Sequence, residues 1–242
     1  MGYAFQWIRS LIFNIQMYIA LAVIAIGGMP LVLIHRPWAF RVIHAFCGYV
    51  RWSASWIINL KSEIRGTPPQ GAVLVAAKHQ SFFDVILIVS AVERPRFVMK
   101  ASLAYTPFVA FYARSVGCIA VNRGKRSQAI KKMVEDLKNK VDFGGQLIIY
   151  PQGTRVAPDV KAPYKVGAAV LYAQTGFDCV PAATNVGYFW PRSSVYRRPG
   201  TAVVEFLDPI SAGMDKNDFL HTLESRVEAA SNALLAEARA KA

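Results

Sequence analysis

The stretch Lys78-His79-Gln80-Ser81-Phe82-Phe83-Asp84 sets an imidazole and a carboxylate five positions apart, directly after the apolar run 72–77. Imidazole takes up and releases protons near neutral pH. A carboxylate that accepts a hydrogen bond from one ring nitrogen fixes the tautomer and frees the other nitrogen to act as a base. No serine or cysteine nucleophile is needed, because such a base can activate a substrate hydroxyl directly. Taken alone, a His with an acid five residues on is as readily a surface or packing feature.

Three further clusters sit at the ends of apolar runs. Gly117-Cys118-Ile119-Ala120-Val121-Asn122-Arg123 is a run opened by Gly and closed by Arg. Tyr150-Pro151-Gln152-Gly153-Thr154-Arg155 is a run that ends in a turn with Arg at its tip, and Val180-Pro181-Ala182 puts Pro on a strand. Arg grips phosphate with a planar, permanently charged fork. Backbone N–H groups around Gly153 can add donors for the same anion. Singly, each Arg is equally well a solvated charge.

Short apolar runs alternate with mixed helical segments past Leu60, and these must position the clusters. The pattern predicts strands over 72–77, 96–99, 118–121, 146–150, 179–184 and 202–206, and helices over 83–92, 107–115, 127–141, 166–175 and 216–240. Ser127 is a plausible N-cap. The last helix carries Leu220, Leu223, Val227, Ala230 and Leu234 on one stripe, a packing face. Strand and helix alternating over most of the chain predict an α/β domain with a central, mostly buried sheet flanked by helices.

Residues 11–34 carry no charge, with Arg9 before them and His35, Arg36 and Arg41 after. Twenty-four helical residues reach roughly 36 Å, enough for a hydrocarbon core of about 30 Å. Asn14, Gln16 and the breaker cluster Gly27-Gly28-Met29-Pro30 argue against a simple span. A second apolar segment, 42–60, holds Trp52, Trp56 and the lone charge Arg51, and tryptophan suits the membrane interface. Residues 1–60 are expected to form a helical membrane anchor, a two-helix hairpin dipping into one leaflet or else a single crossing. Residues 61–242 are expected to form the catalytic domain. A pair of buried core helices is the alternative for 1–60.

Apolar residues make up 54% of the 242 positions and charged residues 18%, below the usual quarter for charge. Mean hydropathy is positive although the net charge is +13, so apolar and cationic residues are segregated. That suits an anionic membrane, where each basic residue near the surface adds about 1 kcal/mol of attraction. Nucleic acid is disfavoured as the partner, since no zinc spacing, RNP-type motif or isolated basic recognition helix is present. Cys47, Cys118 and Cys179 fit neither a disulfide framework nor a metal knuckle.

In this order, the His/Asp pair and the three clusters resemble the four motifs of the glycerophospholipid acyltransferase family, in particular its 1-acylglycerol-3-phosphate branch. Val98-Met99-Lys100-Ala101-Ser102-Leu103 with Pro107, and Tyr164-Lys165-Val166-Gly167-Ala168-Ala169, extend the likeness over roughly residues 60–210. The resemblance implies that His79 is the general base for the acceptor's sn-2 hydroxyl and that Asp84 orients its ring. It further implies that Arg123, Arg155 and Lys100 hold the acceptor's phosphate. Gln152, Gly153 and Thr154 would shape the turn that carries Arg155, and Pro181 would contribute to the acyl or acceptor pocket. The donor is acyl-CoA or acyl-carrier protein, the acceptor a lysophospholipid, and neither a metal nor another cofactor is implied. Location on the inner membrane, with catalysis at the cytoplasmic face, follows from the same resemblance and from the positive-inside bias.

Two positions depart from the family. Gln152 stands where Glu is usual, removing a charge expected beside Arg155; Lys78 stands where Asn is common, and a cation there would help keep His79 neutral if it lay close. Lyso-ornithine lipid or another lysophospholipid is the alternative acceptor, and a catalytically silent membrane-binding protein is the alternative of another class.

Overall fold

The structure, a computed structural model, describes residues 2–122, 135 and 144–241. Seven strands form one sheet: β1 (Leu60–Arg65), β2 (Val73–Ala77), β3 (Pro95–Lys100), β4 (Ile119–Val121), β5 (Gln146–Ile149), β6 (Cys179–Thr184) and β7 (Gly200–Phe206). Their spatial order is β1-β7-β6-β2-β5-β3-β4, and every neighbouring pair is parallel except β6 with β7. Parallel pairing carries the C-terminal ends of β2, β5, β3 and β4 to one edge of the sheet, where α/β folds bind ligands. The expected α/β class and buried sheet are what the structure has. Arg123 and the helix expected over 127–141 lie outside the described residues, Glu135 excepted.

All five residues of β2 are buried, as befits a central parallel strand covered on both faces. Side chains alternate across a strand. Val73, Val75 and Ala77 face a core built with α1 (Tyr3–Ile34), α2 (Trp38–Ile57) and α3 (Phe82–Ala91). Leu74 and Ala76 face a second core, packed against α5 (Gly167–Thr175) and α7 (Lys216–Ala240). The same alternation sends Lys78 to the second face and His79 to the first. Lys78 is buried, with its Nζ 2.5 Å from Glu228 Oε2 on α7, and Tyr164 Oη donates to Glu228 Oε1 at 3.1 Å. The idea of Lys78 acting on His79 is thereby corrected: its charge is matched by Glu228 across the sheet.

The N-terminal hairpin exists, but its turn lies at 35–37; the helix runs unbroken through Gly27-Gly28-Met29-Pro30. Gly28 permits close packing there instead of a break. A Cβ on Gly28 would stand 2.7 Å from the Val42 side chain and 2.8 Å from Tyr112 Oη. Tyr112, on α4 (Val109–Val116), donates to Ala25 O at 2.7 Å. The second helix ends at Ile57 and not at Leu60, which instead opens edge strand β1.

The inward face of α1 mixes the polar Gln6, Ser10 and Asn14 with the buried Phe13 and Met17 in its first half. Gln6 Nε2 donates to Ile58 O and Arg197 O at 3.0 and 2.9 Å, Ser10 Oγ accepts from Arg197 N at 3.0 Å, and Asn14 Oδ1 accepts from Arg197 Nη2 at 3.1 Å. The outward face holds Ile8, Ile12, Ile15, Ile19 and Val23, all more than half exposed. One core joins Phe13, Met17, Phe46 and Val50 of the hairpin to Val75 and Ile86 of the α/β unit.

Candidate active site

Asp84 is held by the start of α3. Ser81 is the N-cap, its Oγ accepting from Phe83 N at 3.2 Å, while Asp84 at the third helical position reaches back to the cap as a capping box. Asp84 Oδ2 accepts from the backbone N–H groups of Gln80 and Ser81, each at 2.7 Å. Its other oxygen, Oδ1, lies 2.9 Å from His79 Nδ1. The carboxylate is fully buried, and His79 is 16% exposed on its side chain. Nδ1–H is thus engaged by Asp84, which leaves Nε2 as the imidazole atom able to take a proton.

The second cluster folds over this pair. Beyond β5, Gly153 N donates to Tyr150 O at 2.8 Å, and Gly153 has φ +71°. A Cβ at Gly153 would meet Lys165 Nζ at 2.8 Å, so glycine serves both the backbone and the space above it. Thr154 follows, exposed in the turn, and Val156 N then donates to His79 O at 2.8 Å, which fixes Arg155 beside the imidazole-bearing segment. Lys100 closes β3 on the same sheet edge. Among the described residues neither Lys100 nor Arg155 has a carboxylate partner.

Gln152 and Pro181 are set apart from this wall. Gln152 is buried, its Nε2 donating to Ala162 O at 3.3 Å while Oε1 has no partner among the described residues. Pro181 lies within β6 opposite Ala76, and its carbonyl accepts from Leu207 N at 2.9 Å. Two residues outside the expected set belong to the neighbourhood. Lys165 covers the Gly153 turn, and its Lys-Val-Gly context was the available signal. Tyr150 stacks on His79 with ring centroids 3.9 Å apart and an interplanar angle of 18°.

His79, Lys100 and Arg155 all line a cavity of about 440 Å³, within the usual range for small-molecule sites. The rest of its wall is mostly apolar, drawn from α1 (Leu21, Ile24), α2 (Ile43, Phe46), α3 and α4. A base, two cations without a carboxylate partner among the described residues, and an apolar chamber together suit an anionic, hydroxyl-bearing substrate with a hydrocarbon tail.

A family model described as Acyltransferase matches residues 60–185, more than half of the chain. The chain belongs to the acyltransferase family. This acyltransferase is 25% identical over 198 residues to the 1-acyl-sn-glycerol-3-phosphate acyltransferase of Pseudomonas aeruginosa, covering 81% of this chain and 77% of that one. It is 27% identical over 146 residues to the lyso-ornithine lipid O-acyltransferase of Rhodobacter capsulatus, covering 60% of this chain and 50% of that one. The crystal structure of the 1-acyl-sn-glycerophosphate acyltransferase from Thermotoga maritima superposes with a TM-score of 0.76 at 20% identity, covering 94% of this acyltransferase and 97% of that chain. That likeness is one of fold.

Proposed function

We propose that this acyltransferase moves a fatty acyl group from acyl-CoA or acyl-carrier protein to the sn-2 hydroxyl of 1-acylglycerol-3-phosphate, forming phosphatidic acid. The observation that carries the reading is the His79–Asp84 pair opening, beside the unpaired Lys100 and Arg155, into the apolar cavity. His79 Nε2 takes the hydroxyl proton as that oxygen attacks the thioester carbonyl carbon. Collapse of the tetrahedral adduct breaks the C–S bond, and the imidazolium returns its proton to the departing sulfur. Asp84 holds the imidazolium in register throughout. Lys100 and Arg155, together with Arg123, bind the acceptor's phosphate; Gly153 and Thr154 shape the turn, Gln152 braces it from within, and Pro181 supports the neighbouring strand. The apolar chamber takes acyl chain.

Lyso-ornithine lipid is the second reading, favoured by the Rhodobacter relative and by the neutral Gln152 in the turn segment that leads to Arg155. It has no phosphate monoester to engage two unpaired cations. Purified enzyme supplied with each acceptor beside the same acyl-CoA is expected to release thiol with lysophosphatidic acid. Release with lyso-ornithine lipid alone would reverse the assignment.

Residues 1–60 anchor the catalytic unit, 61–242, to the cytoplasmic face of the inner membrane, through the outward apolar face of α1 together with exposed Trp52 and Trp56. An apolar face on an otherwise docked helix suits a segment lying at one leaflet. The bonds from Gln6, Ser10 and Asn14 to Arg197 favour an N-terminus on the same side as catalysis. With Cys47, Cys118 and Cys179 replaced by Ala, a Gly2→Cys protein is therefore expected to resist an impermeant thiol reagent in intact cells and to react after lysis. Labelling in intact cells would establish a crossing instead.

A further inference from the structure

Tyr150 has no part in the chemistry above, yet it touches both members of the His79–Asp84 pair. Its ring centroid lies 3.9 Å from that of the imidazole, the planes nearly parallel at 18°, and Phe97 also stacks on it at 6.2 Å and 25°. Its hydroxyl donates to Asp84 Oδ1 at 3.2 Å, the same oxygen that lies 2.9 Å from His79 Nδ1. Its carbonyl accepts from Gly153 N, so the turn leading to Arg155 also fixes Tyr150. We propose that Tyr150 is a positioning residue for acyl transfer: its ring sets the imidazole plane, and its hydroxyl moderates how firmly Asp84 holds the imidazolium.

The electrostatic half of this role follows from counting donors on Asp84. Oδ2 takes two backbone N–H groups, and Oδ1 takes the imidazole and the phenol. Each donor withdraws charge from a carboxylate. A carboxylate with less free charge stabilises an imidazolium less, which favours the neutral ring that can accept a proton. Burial, then the adjacent Asp84, raise the Tyr150 phenol well above its ordinary pKa. It therefore stays a donor across the working range of pH. Other charged groups around the His79 ring come from Lys100 on β3 and Arg155 beyond β5. Lys78 pairs with Glu228 across the sheet, and the hairpin side of the cavity is apolar. None of these groups is altered when only the Tyr150 hydroxyl is removed.

The proposal rests on His79 being the base, so the test includes a His79→Ala control. For Tyr150→Phe, the acid limb of the kcat/KM–pH profile is expected to move up by about half to one unit, the weight of one hydrogen bond. The sign follows from the lost donor: Asp84 then holds the imidazolium more firmly, and a higher pH is needed to free the base. Plateau kcat should stay within about threefold, and both KM values within about twofold, because no substrate contact is lost. Tyr150→Leu, which removes the stack as well, should lower plateau kcat by at least about tenfold with little change in KM. An acid limb unmoved in Tyr150→Phe, with His79→Ala inactive, would overturn the role of Tyr150 while leaving the base in place. A change confined to KM in either variant would overturn it too, by making Tyr150 a wall of the substrate site. An active His79→Ala protein would remove the base assignment itself.

Discussion

Replacing His79 with Ala is expected to lower acyl transfer by about 10²–10⁴-fold, the usual weight of a general base. Folding should survive, because the ring is partly exposed at the cavity wall and, among the described residues, is held by one hydrogen bond to Asp84 and the stack on Tyr150. Asp84→Asn should be similarly damaging for a different reason. The amide keeps the backbone N–H groups of Gln80 and Ser81 near one atom, but it can present an N–H to the imidazole and favour the wrong tautomer. Steady-state rates on vesicle-bound protein, with circular dichroism as the check on folding, separate chemistry from collapse. Retention of more than about a tenth of wild-type activity by His79→Ala would contradict the assignment.

The next largest effect is expected at Arg155. It lines the cavity without a carboxylate partner, so a bound phosphate would be its principal counter-charge. Loss of a charge-assisted pair is worth about 1.5–3 kcal/mol, or roughly ten- to a hundredfold in binding. Arg155→Ala should therefore raise KM for lysophosphatidic acid by that factor and leave KM for the acyl donor nearly unchanged. Arg155→Lys should recover only part of the loss, because an ammonium cannot reproduce a bidentate fork. A raised donor KM with an unaltered acceptor KM would assign Arg155 to the donor's phosphates.

Runs of apolar residues located β2 to β7 because a sheet covered by helices on both faces buries both sides of its strands. Edge strand β1 escaped that search: Leu60, Ser62 and Ile64 alternate with Lys61, Glu63 and Arg65, the signature of a half-solvated strand. Ser81-x-x-Asp84 is a capping box written in the sequence, so the helix that presents Asp84 was legible to within one residue. Alternation along β2 also contained the fate of Lys78, one residue out of phase with His79. Gly27-Gly28-Met29-Pro30 read as a turn because glycine serves both breaks and close contacts. Only the positions of Val42 and Tyr112 decide between the two. The stack of Tyr150 on His79 joins residues 71 positions apart through the pairing of β2 with β5, a register that no local pattern encodes.

Polar bonds and core packing along α1 make the N-terminal hairpin and the catalytic unit a single body. Gln6, Ser10 and Asn14 recur every four residues and all three meet Arg197, the first two at its backbone and Asn14 at its guanidinium, whose pKa burial brings down to about 10. Cutting the chain ahead of α2 would strip Asn14 from a desolvated guanidinium, leave the Arg197 backbone without Gln6 and Ser10, and remove Leu21, Ile24 and Ala25 from the cavity wall. Trimming the hydrophobic N-terminus to obtain a tractable soluble enzyme would thus open the chamber to water and expose the core behind it. Solubility has to come from recolouring the outer isoleucines of α1, with the helix itself left in place.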